Sequence, residues 1–291
     1  MSIPHSNSVP ALGAPLPPVP DALPMPNALP MHWLAGTSQS TQVPGPFLAL
    51  NRRPPLDHLN IRHEPSVTLR RFLRVSEIDL QRRNMHLSLI DPLDLMTAND
   101  AHLSSWEPLI ATLDARQNVI GADNMIVLGV FGPKGDLIGT GATRLMEIPT
   151  SLKAAFEDLT FFYGDNAPAK RASETFSLTA PSAATLCGRI AYRGGFWIRP
   201  DMRRNALPRI LSRLARVAAM AAWNPDAHVG IATDLFLRPD ISAAYSVARV
   251  EKGFTYTKNG HPYWDGVLTV TDRDEANRLL LSDIETYADI A

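Results

Sequence analysis

The most regular pattern of apolar and polar positions lies between residues 196 and 221. Apolar residues at steps of three and four predict an amphipathic helix there; they are Leu207, Ile210, Leu211, Leu214, Val217, Ala218 and Ala221. The apolar run Phe196-Trp197-Ile198 precedes it and predicts a strand, and a basic loop joins the two elements. A helix that begins directly after a strand directs free N–H groups to one point, which suits a phosphate. The pattern therefore predicts an anion site at the start of the helix.

Four further segments continue the alternation of strand and helix. Residues 124–131 and 137–148 are apolar runs around the turn Gly132–Asp136, which predicts a hairpin. Downstream, His228–Ala232 predicts a short strand and Pro239–Val250 a second helix that stops at Gly253.

Residues 66–113 predict the elements that come before the hairpin. Ser66–Val75 alternates in the manner of a first strand, and Ser76 would cap a helix that runs to about Leu89. Asn99 or Asp100 would open a further helix that runs to Leu113. Together these segments predict an α/β domain over residues 61–291, with a mixed, mostly antiparallel central sheet and flanking helices.

Residues 149–186 interrupt this order. A connection of this length between two strands is uncommon and often forms a lid or a binding loop. We expect it to cover the acceptor side of the central cleft, with Phe161–Tyr163 packed on the domain and residues 170–177 mobile. A surface insertion without a functional role is the alternative.

Composition separates the N-terminal segment from the rest of the chain. Of the 25 prolines, 13 lie in the first 55 residues, so residues 1–60 predict a largely disordered or extended arm. The net charge of −1 argues against nucleic acid as a partner. No apolar run is long enough to span a membrane, and no Lys or Arg precedes Arg52, so we expect a cytoplasmic protein. Cys187 is the single cysteine and the eight histidines are scattered, so no metal site is predicted.

The residues RPDMRRNALPRIL resemble the acyl-CoA-binding signature of the GCN5-related N-acetyltransferase (GNAT) superfamily. Arg203 takes the Arg/Gln place of that signature, Ala206 the first glycine and Pro208 the second small residue. Two departures weaken the match, because Ala206 adds a Cβ where the backbone must approach closely and Pro208 lacks an N–H. An ordinary strand, loop and helix with a solvated basic face is the alternative interpretation of the motif.

The resemblance implies the acyl-CoA N-acyltransferase fold and acetyl-CoA or another acyl-CoA as co-substrate. Backbone groups of the strand would contact the pantetheine arm, and the loop and helix start would hold the phosphates. The cofactor-binding residues implied in this way are Trp197, Ile198, Arg203, Arg204, Asn205, Ala206, Leu207 and Arg209. Arg209, Arg213 and Arg216 form a basic strip that would suit the 3′-phosphate of coenzyme A.

The catalytic residues are harder to find, because the implied fourth strand, Cys187–Ile198, contains no carboxylate. The family's usual tyrosine position is Arg249, so Tyr245, one turn earlier, is the candidate proton donor to the departing thiolate. Asp234 is the candidate base, and Glu147 is a further one. A packing role for Tyr245 and a capping role for Asp234 are the structural alternatives.

The resulting prediction is an acyl-CoA-dependent N-acyltransferase that acts on the primary amine of a small molecule or a protein. A non-catalytic coenzyme A-binding or interaction module of the same fold is one alternative. An acyltransferase that uses a carrier-protein thioester is another, favoured by the basic strip. The sequence leaves a homodimer open.

Overall fold

The computed structural model describes residues 59–203 and 206–288, with side chains as far as residue 285. The predicted arm, residues 1–60, thus lies outside the described residues except for its last two. Eight strands form one sheet in the order β1-β2-β3-β5-β6-β8-β7-β4. Their bounds are β1 His86–Ile90, β2 Met125–Phe131, β3 Leu137–Ile148, β4 Glu174–Leu178, β5 Gly188–Ile198, β6 Ala227–Ala232, β7 Arg249–Lys258 and β8 His261–Asp272.

Helices lie on both faces of this sheet. Their bounds are α1 Ser66–Arg82, α2 Pro92–Ala101, α3 Leu152–Glu157, α4 Thr160–Tyr163, α5 Ala167–Lys170, α6 Leu207–Trp223, α7 Pro239–Ala244 and α8 Arg273–Ala288. Every neighbouring strand pair is antiparallel except β5 and β6, which run parallel. The predicted fold class, a mixed, mostly antiparallel sheet with flanking helices, is therefore confirmed.

The sheet separates two apolar cores, and the alternation of β2 places its side chains in both. Ile126, Leu128 and Val130 face the core that contains α1, α6 and α8. Met125 and Val127 face the other core, which contains α2 and the segment between β3 and β5. Because successive side chains of a strand point to opposite faces, a buried strand such as β2 is apolar at nearly every position. The hairpin predicted from these runs is confirmed.

The elements predicted for residues 66–113 are wrong. Residues 66–82 form one helix, in which Leu69, Phe72, Leu73 and Leu80 are buried at helical spacing. The last residues of the helix predicted to run to about Leu89 belong instead to β1, which pairs with β2. The next helix begins at Pro92, seven or eight residues before Asn99 or Asp100, because Asp91 accepts a hydrogen bond from the Leu93 N–H and caps it.

The helix after β6 is also shorter than predicted. It ends at Ala244, and Ser246 follows in a left-handed conformation with φ of 54°. Gly253 does not end a helix; it lies in β7 with φ of 116°, where a Cβ would collide with Thr179. Arg249 begins that strand and forms ion pairs with Asp272 and Glu275.

Residues 149–186 add structure to the far edge of the sheet. Three short helices precede β4, which pairs with β7. Phe161, Phe162 and Tyr163 are buried, as predicted for this aromatic run. The expected mobility of residues 170–177 is wrong, because β4 begins at Glu174 and is hydrogen-bonded along its length.

Candidate functional site between two diverging strands

The parallel strands β5 and β6 separate after a short paired stretch. They are paired at only three positions, the last of which joins Tyr192 to Val229. Beyond it β5 stays with β3, whereas β6 stays with β8. The opening between them is a cavity of about 890 Å³. Its walls come from residues 103–110, from β5 and the start of the following loop, from Ser212, from residues 230–236 and from Tyr245, Val247 and β8.

A local irregularity in β5 accompanies the divergence. The register of β5 with β3 shifts between Thr140 and Ala142. Gly195 lies at the shift with φ of 60°, and its carbonyl accepts a hydrogen bond from the Thr140 hydroxyl at 2.9 Å. A bulge of this kind bends a strand and disrupts its ladder, so backbone groups of β5 face the cavity rather than a neighbouring strand.

Aromatic rings fix one wall of the cavity. Trp197 lies between His102 and Trp106, with ring centroids 4.5 and 5.3 Å away. Its indole N–H donates to the Ser105 hydroxyl at 3.2 Å. The side chain of Trp197 is only 1% exposed, so its contribution to ligand contacts would come from its backbone.

A buried asparagine holds the loop that forms this wall. The Asn99 side chain donates to the Glu107 carbonyl at 2.8 Å and accepts from the Leu109 N–H at 3.1 Å. Because both groups of the amide are satisfied, the loop is attached to the end of α2 at two points. This attachment positions Glu107 at the mouth of the cavity.

Arg203 closes the cavity at the end of β5. Its Nε donates to the Ile198 carbonyl at 3.2 Å, and its Nη2 donates to the Ser105 carbonyl at 3.1 Å. The guanidinium thus joins the strand end to the aromatic wall, and it also lines the cavity. Both partners are neutral carbonyls, so the positive charge is not cancelled by these bonds.

The start of α6 lies next to Arg203. Ala206 precedes the helix with φ of 57°, a left-handed conformation that is costly for a residue with a Cβ. Pro208 occupies the first turn, where a missing N–H removes no intrahelical bond. Ile198 and Leu207 are buried, whereas Arg209 is partly exposed. Arg204 and Asn205 lie outside the described residues.

The predicted basic strip on α6 is wrong, because two of its three members are buried. Arg216 is 0% exposed and its Nη2 lies 2.5 Å from Asp283. Arg213 pairs with the other oxygen of Asp283 at 2.7 Å. These side chains join α6 to α8 and cannot reach a 3′-phosphate in solvent.

Both predicted catalytic residues line the cavity. Tyr245 caps the end of α7, and its ring contacts Phe236 at 4.9 Å between centroids. Burial raises the pKa of Tyr245 to about 12, so the phenol keeps its proton at neutral pH. Asp234 is exposed at the rim, at the start of a 3₁₀ turn after β6. The further candidate Glu147 is not at the site, because it lies at the far end of β3 and pairs with Arg189.

Three charged residues of the cavity were not predicted from the sequence pattern. Glu107 and Asp265 line it, and burial raises the pKa of Glu107 above its usual value. Arg193 lines it from the middle of β5. A charged residue between the buried Tyr192 and Gly194 of an apolar strand is the one signal that could have indicated Arg193.

The four cavity residues among the predicted ones are Trp197, Arg203, Asp234 and Tyr245. Ile198, Ala206, Leu207 and Arg209 do not line the cavity. All of residues 149–186 is described and none of it lines the cavity, so the expectation that this segment covers the cleft is wrong.

No helix among residues 59–203 and 206–288 is long and apolar enough to cross a membrane. Within the same ranges, no group of three or more His, Cys, Asp or Glu side chains could hold a metal ion.

No family model matches the chain, and a search of curated proteins found no match. Several solved structures are similar. Ribosomal-protein-S5-alanine acetyltransferase from Vibrio fischeri is 12% identical, with a TM-score of 0.37, over 66% of this chain and 94% of that one. NAA60 from Arabidopsis thaliana in complex with acetyl-CoA is 14% identical, with a TM-score of 0.39, over 65% and 98%. RimJ from Mycobacterium smegmatis in complex with CoA-disulfide is 11% identical, with a TM-score of 0.33, over 68% and 88%.

The first of these structures is an acetyltransferase, and the other two hold acetyl-CoA and CoA-disulfide. Independently of them, the chain has the antiparallel hairpin, the diverging parallel pair and the helix after its first strand. This order of elements agrees with the mixed, mostly antiparallel sheet with flanking helices that the sequence predicted.

Proposed function

We propose that the chain is an acyl-CoA-dependent N-acyltransferase that acts on a primary amine. The observation that carries the proposal is the cavity between β5 and β6, which Arg203 closes at the end of β5, next to the first residues of α6. A positively charged helix start and free strand amides are groups that suit the phosphates and amides of an acyl-CoA.

Residues of the cleft and of the adjoining helix start fit such a ligand. Arg203 would approach the phosphates, and the amides at Ala206 and Leu207 would hold them at the helix start. Arg204, Asn205 and Arg209 complete the phosphate-binding set that we propose. The backbone of Trp197 and Ile198 would pair with the pantetheine amides, because the divergence leaves this part of β5 without a partner on the β6 side.

The bound thioester supplies an activated carbonyl. In the transfer the amine nitrogen forms a bond to that carbonyl carbon, and the bond from carbon to sulfur breaks. A base must accept the proton of the amine, and a donor must protonate the sulfur. We assign the donor role to Tyr245, whose phenol keeps its proton at neutral pH.

Asp234 is the proposed base, and Glu107 is a second carboxylate for this role. Both line the cavity, and burial gives Glu107 a raised pKa, which suits a base that works near neutral pH. The pair Asp234→Asn and Glu107→Gln distinguishes them. The variant that lacks the base should lose about 10²-fold or more in turnover and keep its affinity for acyl-CoA.

Calorimetry with acetyl-CoA and free coenzyme A tests the proposal. We expect binding of both ligands, and a thermal shift that grows with ligand concentration. A panel of amines with acetyl-CoA then tests transfer, with release of the free thiol as the signal. Absence of binding to either ligand contradicts the proposal.

A non-catalytic coenzyme A-binding module is the second candidate. The observation in its favour is the helix start, where Ala206 has a strained φ and Pro208 lacks an N–H. Binding of coenzyme A without transfer to any amine would support this candidate. The carrier-protein alternative loses its main argument, because Arg213 and Arg216 are buried against Asp283.

A further inference from the structure

A layer of buried charge lies between the sheet and the helices α6 and α8. It contains three arginines, of which Arg193 is 6% exposed, Arg213 9% and Arg216 0%. Among the described side chains the layer contains one carboxylate, that of Asp283, which is 4% exposed and binds both Arg213 and Arg216. Three positive charges thus face one negative charge.

Arg193 is the arginine of this layer that forms no ion pair with Asp283. Its Nη1 donates to the carbonyl and the hydroxyl of Ser212, at 3.3 and 3.5 Å. Among the described residues, no carboxylate lies within ion-pair distance of Arg193. Burying a cation without a counterion is costly, so an unpaired one calls for a reason.

The groups around Arg193 do not supply a negative charge. His228 is buried on the neighbouring strand, and its pKa is held well below the usual value by burial and by the nearby Arg193 and Arg216. His228 is therefore neutral. Burial and the charge of Arg216 lower the pKa of Arg193 to about 9, so Arg193 itself stays protonated at neutral pH.

Arg193 differs from the other two arginines in its relation to the cleft. Arg193 and its partner Ser212 both line the cavity of about 890 Å³, whereas Arg213 and Arg216 do not. A ligand in the cleft can therefore reach the neighbourhood of the unpaired guanidinium. The desolvation cost is already present in the folded protein, so an arriving anion gains most of its interaction with Arg193.

We propose that Arg193 binds a carboxylate of a substrate in the cleft, and that this carboxylate is the far end of a dicarboxylic acyl group on the thioester. This inference rests on the proposed function. It adds the substrate class, because an acyl group with a terminal carboxylate would be preferred to a neutral one of the same length.

Position along β5 favours the acyl group as the source of the carboxylate. The proposed phosphate site lies at the end of β5, near Ile198, and Arg193 is five residues closer to the point where β5 and β6 meet. Five residues of strand span about 17 Å. An arm that enters at the helix start and follows β5 inward therefore brings its acyl end toward Arg193, next to the last paired position at Tyr192.

Two thioesters of equal length test the proposal in binding measurements that require no turnover. Succinyl-CoA carries a terminal carboxylate where butyryl-CoA carries a methyl group. By calorimetry, we expect the wild-type protein to bind succinyl-CoA at least tenfold more tightly. Arg193→Met should reduce this ratio to near one and leave the affinity for butyryl-CoA within threefold. Arg193→Lys should keep part of the preference, because it keeps the charge.

Arg144 offers a matched control. It is a buried arginine of the adjacent strand β3, it donates to the Thr112 carbonyl at 2.5 Å, and it does not line the cavity. Arg144→Met removes a buried arginine of the same kind, so its ratio for the two thioesters should equal that of the wild type. Loss of the preference in this variant too would contradict a specific role for Arg193.

A second pair of ligands distinguishes the two sources of a carboxylate. With coenzyme A present, phenylalanine and phenethylamine present the same amine with and without a carboxylate. If the thioesters bind equally but phenylalanine binds more tightly in an Arg193-dependent way, the carboxylate site stands and the acyl assignment is wrong. If neither pair is discriminated by the wild-type protein, the proposal is overturned while coenzyme A binding still supports the proposed function. If no thioester binds, both fail.

Discussion

The buried arginines of α6 and the buried arginine of β5 occupy one charged layer but differ in what neutralises them. Arg213 and Arg216 share Asp283 at 2.7 and 2.5 Å and lie away from the cleft. Arg193 has only the uncharged Ser212 as hydrogen-bond partner among the described residues, and it lines the cleft. The charges that connect helices thus share a carboxylate within the fold, whereas the charge at the cavity has no carboxylate partner among the described residues.

The largest change in stability is expected when the carboxylate shared by Arg213 and Arg216 is removed. Asp283→Ala would leave Arg213 and Arg216 buried without a counterion, which costs about 3–5 kcal/mol in the free energy of unfolding. Urea denaturation of the variant and the wild-type protein measures this loss. Glu147→Ala is the control, because its ion pair with Arg189 is largely exposed and should contribute at most about 1 kcal/mol. Similar losses in both variants would contradict the contrast.

The second arginine at the cavity, Arg203, should affect binding rather than folding. Like Arg193, it donates to uncharged groups, here the carbonyls of Ile198 and Ser105. Arg203→Ala removes a positive charge and the link between the strand end and the aromatic wall. We expect coenzyme A to bind at least tenfold more weakly, a loss of about 1.4 kcal/mol or more. Calorimetry measures this, with Arg189→Ala on the same strand as a control outside the cavity.

For Arg193 the expected change in stability has the opposite sign to that of Asp283. The folded-state pKa of about 9 lies below the value of an exposed arginine, so folding works against the charged form. Arg193→Met removes that cost and should raise the free energy of unfolding by about 1–2 kcal/mol at pH 7.

The same shift in pKa predicts how this advantage depends on pH. Above pH 9 the folded wild-type protein releases the proton while the unfolded chain keeps it, so the cost of burial falls. The difference in stability between Arg193→Met and the wild type should therefore be full at pH 7 and smaller at pH 10. Urea denaturation at both pH values measures it. A destabilised variant at pH 7 would show that Arg193 supports the fold as Arg216 does.

The sequence predicted the strands and helices that depend on local hydrophobic pattern. The strand before Arg199, the helix from Leu207 and the hairpin around Gly132 each follow from a periodicity that only one element satisfies. Ser66–Val75 was assigned wrongly because its apolar residues fit both periods. Val67, Leu69, Leu73 and Val75 stand at alternating positions, yet Leu69 and Leu73 also belong, with Phe72, to the buried stripe of α1.

Only those residues of the candidate site whose position follows from the order of strands and helices were predicted. Asp234 follows β6 and Tyr245 follows α7, and both therefore line the cavity. Arg193, Arg213 and Arg216 look alike in the sequence, and what separates them is the position of Asp283. That residue lies in α8, a helix that the hydrophobic pattern did not predict, so the pairing depends on tertiary structure alone.

The smallest effect concerns Ser212, which lies between the two groups of arginines. Its hydroxyl donates to the Tyr245 carbonyl at 2.6 Å and accepts a weak bond from Arg193 at 3.5 Å. Ser212→Ala should therefore cost about 1 kcal/mol of stability, mostly through the carbonyl left unsatisfied. A double-mutant cycle with Arg193→Met separates the two bonds. If the long bond to Arg193 is weak, as its length indicates, the two changes should add within about 0.5 kcal/mol. A larger coupling energy would mean that Ser212 partly compensates the charge of Arg193, and the contrast between the two groups would be smaller than their carboxylate contacts suggest.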